Sequence, residues 1–86
     1  MARTKTISIE INLNGLMTVY QHGNTVTFVY EDGRSLKIWF RTEKDAKDRF
    51  ACEGELLINN PDIHTISTYC AQIEWHMPGE VNNVQV

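Results

Sequence analysis

Apolar and polar residues alternate strictly over the first part of the chain: Ile7, Ile9, Ile11 and Leu13 are apolar, and Thr6, Ser8, Glu10 and Asn12 between them are polar. A period of two marks a strand with one buried face. Turn signals follow at Asn14-Gly15, His22-Gly23-Asn24 and Glu31-Asp32-Gly33. Between them, Met17 to Gln21, Thr25 to Tyr30 and Leu36 to Phe40 are rich in β-branched and aromatic residues, the composition that suits a pleated, half-buried surface. The pattern predicts a four-stranded antiparallel meander.

Register follows from parity, because a slip of one residue turns a strand's apolar set to water. The even positions Val26, Phe28 and Tyr30 should share the core face with Leu36, Ile38 and Phe40. A two-residue Asp32-Gly33 turn would oppose Phe28 to Lys37. A three-residue Glu31-Asp32-Gly33 loop, with Gly33 in the left-handed region, pairs Phe28 with Leu36 and Val26 with Ile38, and is preferred. The second strand is ambiguous. A Gly23-Asn24 turn would point Met17 and Val19 inward, whereas a Gln21-His22-Gly23 loop would send Leu16 and Tyr20 there.

After Arg41 the period becomes helical. Thr42 is a good N-cap, Glu43 and Asp45 suit the positive end of the helix dipole, and Ala46, Phe50 and Leu57 share a face. The helix is expected from Glu43 to about Ile58, ended by Asn59-Asn60-Pro61-Asp62. Glu53 falls on the apolar stripe, so either the helix breaks near Gly54 or Glu53 finds a partner such as Arg49 one turn back. A last alternation, Tyr69, Ala71, Ile73, Trp75 and Met77 against Thr68, Cys70, Gln72, Glu74 and His76, predicts a fifth strand that Pro78-Gly79 stops.

The fold class is therefore α+β: a four-stranded antiparallel meander, one helix packed on one face, and a fifth strand after the helix. The expected core is Ile7, Ile9, Ile11, Val26, Phe28, Leu36, Ile38, Phe40, Ala46, Phe50, Leu57, Ile73 and Trp75. Residues 1–79 form a single domain and 80–86 a flexible C-terminal tail. At 86 residues there is no room for a second core, and a chain this short gains from buried area that a partner supplies.

Hydrophobic residues make up 42% and charged residues 22%, a globular balance rather than a disordered one. Net charge is −3, opposite to the basic footprint of a phosphate-bound protein. No stretch reads as a membrane span or export signal. Cys52 and Cys70 stand far apart and outside CxxC spacing, which indicates neither a disulfide framework nor a zinc site. A reducing cytoplasm is the expected location.

Candidate chemistry is sparse. His22, His64 and His76 have no metal-ligand spacing with one another or with cysteine. Cys70 and His76 lie roughly 20 Å apart along one strand, too far for a thiol–imidazole pair. There is no GxSxG, P-loop, GxGxxG or HExxH. No catalytic residue, metal site or cofactor is expected, and the chain reads as a non-enzyme.

The face of the sheet away from the helix carries more information. It should present Trp39 with Lys37, Arg41 and Val29, and whichever of Val19 or Tyr20 points outward. Trp and Arg are enriched at interface hot spots, and small domains seldom leave such a patch bare. Trp39, Val29, Lys37, Arg41 and Tyr20 are therefore the expected partner-binding residues of a protein–protein binding module, as a homodimer or with another protein. Motif-free single domains of this size recur among phage and mobile-element products that inhibit or adapt host proteins, so an inhibitor or adaptor is the concrete expectation.

The alternative is a single-stranded nucleic-acid binder that stacks bases on Trp39 between Lys37 and Arg41. In topology alone, four antiparallel strands and a helix resemble single-strand binders of the Whirly type. At the ends, Ala2-Arg3-Thr4-Lys5 repeats the opening of a core histone tail. Val84-Gln85-Val86 is the kind of C-terminus that adds as a strand to PDZ domains. Both runs are too short to specify a partner.

Overall fold

The computed structural model describes residues 6–78; the terminal tail and both short terminal runs lie outside them. Six strands and one helix follow in the order β1 (Ile7–Asn12), β2 (Leu16–His22), β3 (Thr25–Tyr30), β4 (Ser35–Trp39), α1 (Glu43–Asn59), β5 (Thr65–Cys70) and β6 (Gln72–His76). The α+β class holds, with all pairings antiparallel. β2-β3-β4-β6 form a four-stranded sheet, and β1-β5 form a separate pair.

The β3–β4 register is the one parity demands. Phe28 faces Leu36 and Val26 faces Ile38, across a three-residue loop in which Gly33 has φ 97°. The β2–β3 turn is Gly23-Asn24, with His22 opposite Thr25 and Val19 opposite Phe28. A bulge between Leu16 and Thr18 then resolves the ambiguity of β2. Val19 and Leu16 both pack on the core, while Met17, at the bulge, is 63% exposed. One extra residue lets apolar side chains of opposite parity reach the same face.

Two connections differ from the expected meander. β1 does not pair with β2. It runs beside β5, with Ile11 opposite Ile66 and Ile7 opposite Cys70, and the Leu13 N–H donates to the His64 carbonyl at 2.8 Å. Parity supplies the reason. With Val19 facing inward, an Asn14-Gly15 hairpin would set Ile11 beside Thr18 and Ile9 beside Tyr20, on the face away from the core. Leaving the sheet lets β1 bury its isoleucines.

The single C-terminal strand is also two. Its alternation slips at Ala71, where the backbone bends and the Ala71 N–H donates to the Trp39 carbonyl at 2.7 Å. Before the bend Ile66, Thr68 and Cys70 are buried. After it the odd residues Ile73 and Trp75 oppose Ile38 and Leu36.

The core is built from Ile11, Val26, Phe28, Tyr30, Leu36, Ile38, Phe40, Ala46, Ile66 and Cys70, with Ile7, Ile9, Phe50 and Ile73 packed at its margin. Leu57 is half-buried. Trp75, expected inside, is 40% exposed, because β6 is the last strand of the sheet; it stacks on Tyr30 at 6.1 Å. The buried Tyr30 hydroxyl donates to the Asn12 carbonyl at 2.6 Å, tying the two sheets together.

The helix starts as expected, with the Thr42 hydroxyl accepting from the Asp45 N–H at 3.1 Å. It continues unbroken through Gly54 to Asn59, and Asn60 caps it by donating its N–H to the Leu56 carbonyl. Its buried residues are Ala46 and Glu53. Among the described residues no helix is long and apolar enough to cross a membrane.

Candidate partner-binding site

The strand registers assemble the outer sheet face in three rows. Tyr20, Thr27, Lys37 and Glu74 form the middle row, His22, Thr25, Trp39 and Gln72 one flank, and Thr18, Val29, Ser35 and His76 the other. Each residue is one step out of phase with a core residue, so all point away from the helix. Val29 and Trp39 are half-buried yet belong neither to the core nor to its margin. Tyr20 is 49% exposed. The turn at Gly23-Asn24 makes Tyr20, not Val19, the outward residue of β2.

Lys37 Nζ lies 5.4 Å from the centroid of the Trp39 ring, a cation–π distance. Its neighbour on β6 is Glu74. Two polar atoms of this face, Trp39 Nε1 and Thr27 Oγ1, are hidden from water without a hydrogen-bond partner among the described residues.

Arg41 is not with the others. β4 ends at Trp39, Phe40 turns into the core, and both its N–H and its carbonyl are held by Asn24. Arg41 therefore lines a cleft of about 410 Å³ between the helix and the end of β5, shared with Asp45, Arg49, Cys52, Tyr69 and Cys70. The structure so brings Tyr20, Val29, Lys37 and Trp39 onto one face and places Arg41 beside the helix. Cys52 and Cys70, distant in sequence, both line that cleft as free thiols, Cys52 exposed and Cys70 buried, and burial pushes the Cys70 thiol up.

One polar group inside the fold lay partly open to sequence reading. Glu53 is 4% exposed. Neither of its carboxylate oxygens, nor the Thr68 hydroxyl, has a hydrogen-bond partner. Burial pushes the carboxyl from 4.5 up to about 7, against the opposing pull of the Arg49 guanidinium and of the Thr68 hydroxyl, which lies near the carboxyl but outside hydrogen-bond geometry. The helical stripe flagged Glu53; Thr68 was on the side of the last alternation not assigned to the core. Among the described residues no group of three or more His, Cys, Asp or Glu could hold a metal ion. No family model matches the chain, and no curated protein or solved structure matches it either.

Proposed function

We propose that this chain is a small non-enzymatic protein–protein binding module, an inhibitor or adaptor in type, that takes its partner on the outer face of the four-stranded sheet. One observation carries the reading. Trp39 and Val29 stand outside the core on the face opposite the helix, beside an exposed Tyr20.

Four strands at ~4.8 Å spacing and three rows at ~6.8 Å give that face about 400 Å². Taking an apolar side chain of this face fully out of water contributes roughly 1.5–3 kcal/mol, less for the half-buried Val29 and Trp39, against the cost of association. A protein partner fits this face better than a polyanion does. Lys37 is its single Lys or Arg side chain in the three rows, and Glu74 beside it cancels that charge, whereas phosphate binding needs a net positive surface.

The test is a photo-crosslinking residue placed at Tyr20 and, as a control, at exposed Lys44 on the helix. A discrete protein adduct from position 20 that is absent from position 44 and lost on Trp39→Ala supports the reading. Salt-sensitive quenching of Trp39 by a single-stranded oligonucleotide, in a Trp75→Phe background and without a protein adduct, supports the nucleic-acid alternative.

A further inference from the structure

We infer that residues 53–59, the second half of α1, form a proton-gated segment that stays docked while the Glu53 carboxyl is neutral and opens locally, with the rest of the fold intact, when the carboxyl ionises. The first half of the helix is well held. The Thr42 hydroxyl caps it, Ala46 is fully buried and Phe50 packs against the core. Beyond Phe50 only Glu53 is buried. Leu57 is half-buried, while Leu56 and Ile58 are 39% and 81% exposed.

Two further features weaken this half. No basic residue in the last turn offsets the negative end of the helix dipole. A Cβ at Gly54 would meet nothing within 4 Å, so no close approach requires glycine there, and what it contributes is backbone freedom that opposes the helix.

The buried anchor of this half is therefore the side chain whose burial depends on a proton. Neither Glu53 oxygen nor the hydroxyl of Thr68 on β5 has a hydrogen-bond partner, and Thr68 is itself 1% exposed. The strands around it bring no cation. α1 packs on β2 and β3, but Tyr20, His22 and Lys37 lie on the outer face, and the Tyr30 hydroxyl is engaged with the Asn12 carbonyl. β5 turns Cys70 to the same side as Thr68, and burial pushes that thiol up, which keeps it neutral. β1 sets Ile9 opposite Thr68 and leaves Glu10 exposed. On α1 itself Cys52 and Glu55 are exposed, and Arg49, one turn back and half-buried, pulls on the carboxyl without bonding it.

An ionised carboxylate in this setting is short of donors. It regains water with least disruption by releasing the half of the helix that little else holds. Burial raises the docked carboxyl from 4.5 to about 7, whereas the released one has its ordinary affinity for the proton. Opening therefore grows as pH rises between those values and levels off above them.

Amide hydrogen exchange of the full chain, followed by NMR and divided by the intrinsic rate at each pH, reads the opening. In wild type, residues 54–59 should open more readily at pH 8 than at pH 5.5 by about tenfold or more. Low urea should not change their exchange, since a local opening exposes little surface, whereas Val26 to Tyr30 on β3 should exchange through the urea-sensitive global route. Glu53→Gln should remove the pH difference in residues 54–59. Gly54→Ala should lower their opening about fivefold at both pH values and leave the ratio between them unchanged. Circular dichroism reports whether each variant folds, and the wild-type profile decides alone if one does not. Exchange of residues 54–59 as steep in urea as that of β3, an opening equal at the two pH values, or a pH difference that survives Glu53→Gln overturns the inference.

Discussion

Glu53→Gln should stabilise the protein at neutral and alkaline pH. The carboxyl is 4% exposed and has no hydrogen-bond partner, and burial raises it from 4.5 to about 7. The folded state thus holds the proton more tightly than the unfolded chain does. Between the two values the native protein binds more protons, so stability falls as pH rises. The contribution is fully present below about 4.5 and is lost once pH passes about 7. The gap between 4.5 and about 7, at ~1.36 kcal/mol for each tenfold change in proton affinity, is about 3 kcal/mol, a large fraction of the stability of a small domain.

Glutamine keeps the shape and removes the charge. The variant should match wild type near pH 4, lose the pH dependence of this group, and exceed wild type by about 3 kcal/mol at pH 8. Urea unfolding followed by tryptophan fluorescence at pH 4, 5, 6, 7 and 8 measures this directly, with a constant m-value as the check that the two end states are unchanged. A wild-type stability that is flat or rising from pH 5 to 8, or a variant less stable than wild type at pH 8, would refute the account of Glu53 as a buried carboxyl without a partner.

Gly33→Ala should cost about 1–2 kcal/mol in urea unfolding, because Gly33 sits at φ 97° and an added Cβ would lie 3.3 Å from Pro78 Cβ; an unchanged midpoint would mean the three-residue loop is not fixed by this residue. Thr42→Ala should cost about 1 kcal/mol and lower the thermal midpoint by several degrees, through loss of the bond from the Asp45 N–H, while Thr42→Asp should restore it.

Parity arithmetic read the centre of the fold well. Phe28 could meet Leu36 only through a three-residue loop, and the helix was legible from Thr42 and the Ala46–Phe50–Leu57 stripe. What it could not read were breaks in alternation. The bulge at Met17 and the bend at Ala71 each shift the phase by one residue, and both occur within runs whose two faces are plausible core. At β5 the true core face, Ile66, Thr68 and Cys70, includes a threonine, so the sequence favoured the side with Tyr69 and Ala71. The candidate face was legible for the same reason the centre was: Tyr20, Val29, Lys37 and Trp39 sit out of phase with core residues on regular stretches. Arg41 lies off this face because β4 ends at Trp39, two residues before it.

The departure of β1 from the sheet shapes both the edge of β2 and its outer face. Had the Asn14-Gly15 turn closed a hairpin, β1 would have capped the edge of β2, and Ile7, Ile9 and Ile11 would have covered the outer face with aliphatic side chains next to His22, Tyr20 and Thr18. Burying Ile11 fully and Ile7 and Ile9 in part contributes roughly 3–6 kcal/mol, and β1 keeps its ladder bonds by pairing with β5. The isoleucines therefore go to the core with β5, and two things are left behind. β2 keeps an edge without Lys, Arg, Asp or Glu, and the outer face keeps a thin apolar layer of Tyr20, Val29 and Trp39 interleaved with polar Thr25 and Thr27. The register that buries Val19 against Phe28 is thus the common cause. A variant that reversed the phase of β2, by deleting the bulged Met17 and inverting the inward and outward residues from Thr18 to Gln21, would be expected to lose the edge, the face and the core together.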